Sequence, residues 1–118
     1  MDFRQMKVFK LGFDLAMEIF QISKSFPKEE RYSLIDQIRR SSRSVCANLG
    51  ESFRKKRYPK YFISKITDAD MENSETQVWL LFACTCGYIY HQQYELLIQK
   101  SEEIGRLLGH IINNPEKY

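Results

Sequence analysis

Three observations predict an all-α fold, an up-down-up-down antiparallel four-helix bundle. Apolar residues recur at spacings of three and four along most of the 118 residues. Glycine and proline are scarce, five and three, and the breaks fall near Phe26-Pro27, at Tyr58-Pro59, from Gly87 to His91 and at Pro115. No segment shows a convincing strand pattern. Four helical segments with short connections pack as antiparallel neighbours, and a chain of this length makes a single domain, 1–118.

The first helix is expected from about Met6 to Ser25. Val8, Leu11, Leu15, Ile19 and Ile22 make one apolar stripe. Phe9, Phe13, Met17 (or Ala16) and Phe20 make a second, so one stripe is left over once the bundle core is filled. The second helix is expected from about Leu34 to Lys55. Ser33 is its cap, with Asp36 three residues on as a weak capping box. Its apolar positions are Leu34, Ile38, Val45, Leu49 and Phe53, flanked by the small residues Ser41, Ser42, Cys46 and Ala47.

The third helix is expected from about Pro59 to Cys86, with proline at a tolerated first position. Phe62, Ile66, Ala69, Asn73, Thr76, Leu80 and Ala83 form its inner stripe. Its last third, "VWLLFACTCGYIY", is apolar all round, and such a helix is buried on every side. The fourth is expected from about Gln93 to Asn113, with Leu97, Ser101, Ile104, Leu108 and Ile111 inward. Ser101, Gly105 and Gly109 give it a small-residue face suited to close helix approach. Val78, Trp79, Phe82 and Tyr88, together with Phe9 and Phe13, exceed what one core holds, so they predict a homo-oligomer interface.

Charge is segregated along the chain. Residues 1–30 carry five basic and five acidic side chains, residues 31–65 ten and two, and residues 66–118 three and eight, which leaves +3 overall. From Gln37 to Tyr61 there are eight cations and one acid, Glu51. Folding the second and third helices about Arg57 puts residue i opposite about 114 − i. Arg39, Arg40 and Arg43 then reach Asp70, Glu72 and Glu75, in the same chain or a neighbour: Arg39 or Arg40 against Glu75, Arg43 against Asp70 or Glu72. Bidentate arginine–carboxylate pairs suit that placement. Arg54, Lys55, Lys56, Arg57 and Lys60 fall at the hairpin tip with no acid opposite. Either they are simply solvated, or, clustered on one rim of an assembly, they contact RNA or DNA. In that second case Arg39, Arg40 and Arg43 are further candidates wherever acids leave them free. Tyr58, Tyr61 and Phe62 alternate with these cations and are either base-stacking residues or core.

Several function classes are disfavoured. The start of the chain carries charges throughout and lacks the apolar core of a signal peptide. No apolar run has the length of a membrane span. Cys46, Cys84 and Cys86 are an odd number inside helical patterns, which fits reduced thiols in a cytoplasmic protein. There is no glycine-rich phosphate loop, GxSxG or HExxH, and His91 and His110 are expected to be surface or interfacial histidines. The expectation is a protein that is not an enzyme and holds no cofactor or metal.

The stretch "SFPKEERYSLIDQIRRSSRSVCANLGES" carries Phe26-Pro27, Glu29 or Glu30, Tyr32, Leu34, Gln37-Ile38-Arg39-Arg40, Ser44-Val45, Asn48 and Glu51. With Glu72, Glu75-Thr76 and Trp79-Leu80 of "MENSETQVWL", it resembles the four-helix-bundle family of proteins encoded in intervening sequences of bacterial large-subunit ribosomal RNA. Ser52 stands where that family commonly has glycine, and Asp68 and Asp70 stand in a region where a Gly-Ser pair is common. The resemblance implies a homopentameric ring and kinship with accessory proteins of diversity-generating retroelements, which engage nucleic acid and a reverse transcriptase through a basic surface. Two functional expectations follow: an RNA- or DNA-binding assembly, RNA favoured, or an accessory module whose partner is another protein.

Overall fold

The computed structural model describes residues 2–118. Four α-helices, α1 (Lys7–Ser23), α2 (Leu34–Arg54), α3 (Pro59–Thr85) and α4 (His91–Asn113), run up-down-up-down. Short 3-10 turns at Phe3–Gln5, Lys28–Glu30 and Pro115–Lys117 dress the ends. The body measures 44 × 25 × 20 Å, and α3, at about 40 Å for 27 residues, sets its length. Each helix packs on the next and α4 closes back on α1, so α1 and α3 stand on the diagonal.

The inner stripes of α3 and α4 are buried as the periodicity predicts, down to the polar members Asn73, Thr76 and Ser101. On α2, Leu34, Ile38, Val45 and Leu49 are buried, but Phe53 lies at the rim against Phe62. Ser52 is fully buried, its hydroxyl donating to the Leu49 carbonyl at 2.6 Å, so α2 runs on through Arg54 with serine in place.

Helix ends follow local hydrogen bonding. Gly87, at φ 78, lets α3 stop. Its N–H bonds the Cys84 carbonyl while that of Tyr88 reaches Ala83, a Schellman turn that glycine alone adopts freely. Two expectations at helix starts need correction. Ser33 does not cap α2; its hydroxyl donates to Glu30 at 2.6 Å, and the same carboxylate lies 3.5 Å from the Leu34 N–H. The helix begins under Glu30 because a carboxylate is the better acceptor at a helix N-terminus. Helix α4 begins two residues earlier than expected, because the Gln93 side chain reaches back to accept the Tyr90 N–H at 2.9 Å.

The tertiary register also matches the hairpin reading. Arg40 meets Glu72 and Glu75, Ser41 meets Thr76, and Glu51 meets Lys65, which all lie level with one another in an antiparallel pair turning near Arg57.

Candidate nucleic-acid interface

Four residues, Lys55 to Tyr58, join α2 to α3. Backbone bonds from Tyr58 to Lys55 and from Phe62 to Tyr58 close the turn, and Pro59 opens α3 without wasting an N–H. Arg54, Lys55, Lys56, Arg57 and Lys60 are all exposed here. Among the described residues none of the five is paired with a carboxylate. Lys55 sits 5.8 Å from the Tyr61 ring and Lys56 4.9 Å from Phe53, so the lysine stems lie along aromatic faces. Tyr58 and Tyr61 are exposed and meet edge-to-face at 6.2 Å. Phe62 is buried and belongs to the core, which settles the choice left open for it.

The arginines of α2 divide between two sides of the helix. Arg40 turns toward α3, bonds Glu72 at 2.8 Å and pairs with Glu75, which also accepts from the Trp79 indole at 3.1 Å. Hydrogen bonding to Glu75 pushes the Arg40 pKa further up. Partial burial works to raise Glu75, but the bonds from Arg40 and Trp79 outweigh it and hold the carboxyl below its usual range.

The expected pairing of Arg39 and Arg43 with these acids is not made within the chain. Both lie on the α1 side, where Arg39 donates to Ser23 at 2.8 Å. The Arg39 and Arg43 guanidinium carbons stand 4.8 and 5.4 Å from the Phe20 centroid, with the Lys24 ammonium at 4.8 Å. One residue of a helix turns 100°, so neighbours level with the same acid face different helices. Asp70 is half-buried without an ion pair among the described residues, and burial pushes its carboxyl up.

The surplus apolar residues remain on the surface. Val78 is 48% and Phe82 53% exposed, with half-buried Trp79 5.9 Å from Phe82. Phe13 is 52% exposed and Phe9 half-buried beside it. Tyr88 differs: its ring packs on Phe26 at 5.5 Å and its hydroxyl donates to Glu30 at 2.9 Å, so it ties two connections of its own chain together. Met17, of the second stripe expected on the first helix, is also exposed, and so is Met71, which the sequence reading did not single out. Met71 stands seven residues before Val78, a spacing that could have flagged it. No three His, Cys, Asp or Glu side chains converge to hold a metal among the described residues. No described helix is long and apolar enough to cross a membrane.

These features define a class: an antiparallel helical bundle with an exposed cationic hairpin tip. The family model of the 23S rRNA-intervening sequence protein matches residues 4–110, and the chain belongs to that family. A solved structure is similar throughout: a protein of unknown function from the S23 ribosomal protein family of Bacteroides thetaiotaomicron. It is 32% identical, with a TM-score of 0.82 over 90% of this chain and 95% of that one. No curated protein matches significantly.

Proposed function

We propose that this protein is a non-catalytic, self-associating bundle that binds nucleic acid, RNA in preference, through the α2–α3 tip. One observation carries the reading: five clustered cations are exposed with no carboxylate among the described residues to neutralise them, although acids on α3 take up Arg40 and Glu51 of α2 takes up Lys65. Like charges so placed repel one another, and phosphates relieve that repulsion while releasing counterions. Exposed Tyr58 and Tyr61 add flat faces for unpaired bases. Self-association through the apolar surface on α1 and α3 brings several tips together and strengthens their field.

Filter binding with structured and single-stranded RNA tests this. For about four phosphates per subunit, raising salt from roughly 50 to 200 mM weakens binding about 50- to 150-fold. The triple variant Lys55→Glu, Lys56→Glu, Arg57→Glu loses it. No affinity at low salt, or unchanged affinity in that variant, overturns the reading. A second reading, an assembly module whose partner is another protein, draws on the exposed apolar residues Val78, Phe82 and Phe13. Nucleic acid that co-purifies and leaves at high salt favours the first reading; clean protein carrying a stoichiometric protein partner favours the second.

A further inference from the structure

Away from the tip, three cations gather round one aromatic ring. Phe20 and Lys24 stand one turn apart at the end of α1, and Arg39 and Arg43 one turn apart on α2. Both guanidinium carbons and the Lys24 ammonium lie within 5.4 Å of the Phe20 ring centre. Ser23, fully buried, accepts the Arg39 Nε–H at 2.8 Å and holds that guanidinium in place. Among the described residues no carboxylate pairs with any of the three. Asp36, one turn before Arg39, is exposed and pairs with neither arginine. The C-terminus of α1 sets about half a negative charge against these three positive ones. Stacking on Phe20 anchors the cations without neutralising them. At the tip the cations are strung along a turn; here they converge on one point.

We infer that Lys24, Arg39 and Arg43 hold the terminal phosphate of an RNA strand, a phosphomonoester, while the strand's interior phosphates run on to the tip. This deepens the nucleic-acid reading given above and rests on it. A phosphodiester inside a strand carries one negative charge. A phosphomonoester at its end carries about −1.5 to −2 at pH 7 and offers three strong acceptor oxygens. Cations strung in a row match a series of single charges, whereas cations that converge match one concentrated charge, and arginine forks suit its several oxygens. The path to the tip is short. Arg54 follows Arg43 by about three helical turns, so both stand on one side of α2, at the edge of one groove. That is about 16 Å, or about five nucleotides of a stacked strand at roughly 3.4 Å each.

The test compares three single strands of one RNA sequence, about twelve nucleotides long and labelled at an internal base. One carries a 5′-phosphate, one a 3′-phosphate and one hydroxyls at both ends. Fluorescence anisotropy with the full-length protein should show one or both phosphorylated strands binding about tenfold more tightly than the third. The readout is that ratio. Arg43 is exposed, so its replacement leaves the core untouched. In Arg43→Gln the ratio should fall to about one, and in Arg43→Lys, which keeps the charge, it should survive in part. Helical circular dichroism equal to the parent's shows that both variants are folded. Inorganic phosphate, added at constant ionic strength, should displace the phosphorylated strands before the unphosphorylated one. Three strands of equal affinity overturn the end site and leave binding at the tip standing, even where inorganic phosphate alone raises the melting temperature. A ratio unchanged in Arg43→Gln also overturns it, because the end is then read elsewhere. If no strand binds at low salt, the nucleic-acid reading itself fails and takes this site with it.

Discussion

Asn73 on α3 and Ser101 on α4 bond each other twice in the buried core. The Asn73 amide donates to the Ser101 carbonyl at 2.9 Å, and the Ser101 hydroxyl returns a bond to Asn73 Oδ1 at 2.9 Å. Gln77 adds a third bond to the same hydroxyl at 2.9 Å. A methyl group on Gly105 would stand 3.4 Å from the Asn73 amide, so the small residue there permits the close approach. Asn73→Ala leaves Ser101 short of partners in a buried site and is expected to cost about 1–3 kcal/mol. Urea unfolding at fixed protein concentration measures it; an unchanged midpoint would mean that water reaches the pair.

Arg40 bridges Glu72 and Glu75 at the surface, its side chain 44% exposed. Glu75→Gln should therefore lower stability by only about 0–1 kcal/mol. The Glu75 carboxyl is held below its ordinary 4.5. Its contribution is thus present above that value and fades as pH falls through the lowered one. Comparing acid unfolding of parent and variant reads this out: the two curves should converge at the acid end.

Tyr88 behaves in the opposite sense. Hydrogen bonding to Glu30 and burial push its phenol up from 10 to about 12. The folded chain holds the neutral phenol, so this contribution is complete below pH 10 and is lost as pH climbs toward about 12. Tyr88→Phe should melt lower than the parent at neutral pH and lose less across the alkaline window. Equal alkaline losses in the two proteins would break the assignment.

The thiols should differ in reactivity. Burial, with Asp14 nearby, pushes Cys46 up to about 11, and its side chain lies against the Phe9 carbonyl. Cys86 is exposed. A thiol reagent at mildly alkaline pH should modify Cys86 first and Cys46 last, because the thiolate is the reacting form. Rapid modification of Cys46 would show that α1 lifts from α2.

Much of the fold was legible because one period ran through it. The stripes from Phe62 to Ala83 and from Leu97 to Ile111 were readable in full, since a buried helix face repeats its chemistry every three or four residues. The level of each α2 arginine against α3 was readable too, because a short turn fixes an antiparallel register. Which side of α2 each arginine faced was not. Arg39 and Arg40 share a level, yet Phe20 and Ser23 take the first and Glu72 and Glu75 take the second. The start of α2 was misread for a similar reason: Glu30 folds back from a 3-10 turn that leaves little trace in periodicity. At the tip, sequence showed the cations and the lack of an acid opposite them; the fold adds that, among the described residues, none is paired with a carboxylate and that Phe62 does not stand with them.

An even number of helices returns the chain to where it set out. Phe3 packs against Phe53 near the end of α2, and α4 descends alongside α3 toward the α3 start, so both ends of this chain lie at the pole that carries the basic turn. A label or fusion attached to either end would crowd that pole and compete for whatever docks there. The opposite pole offers a better handle. Exposed Cys86 sits beside the Gly87 turn at the far end of a body 44 Å long, where a fluorophore or a surface linkage leaves the cations clear. Immobilised that way, the molecules would stand upright with their basic turns outermost.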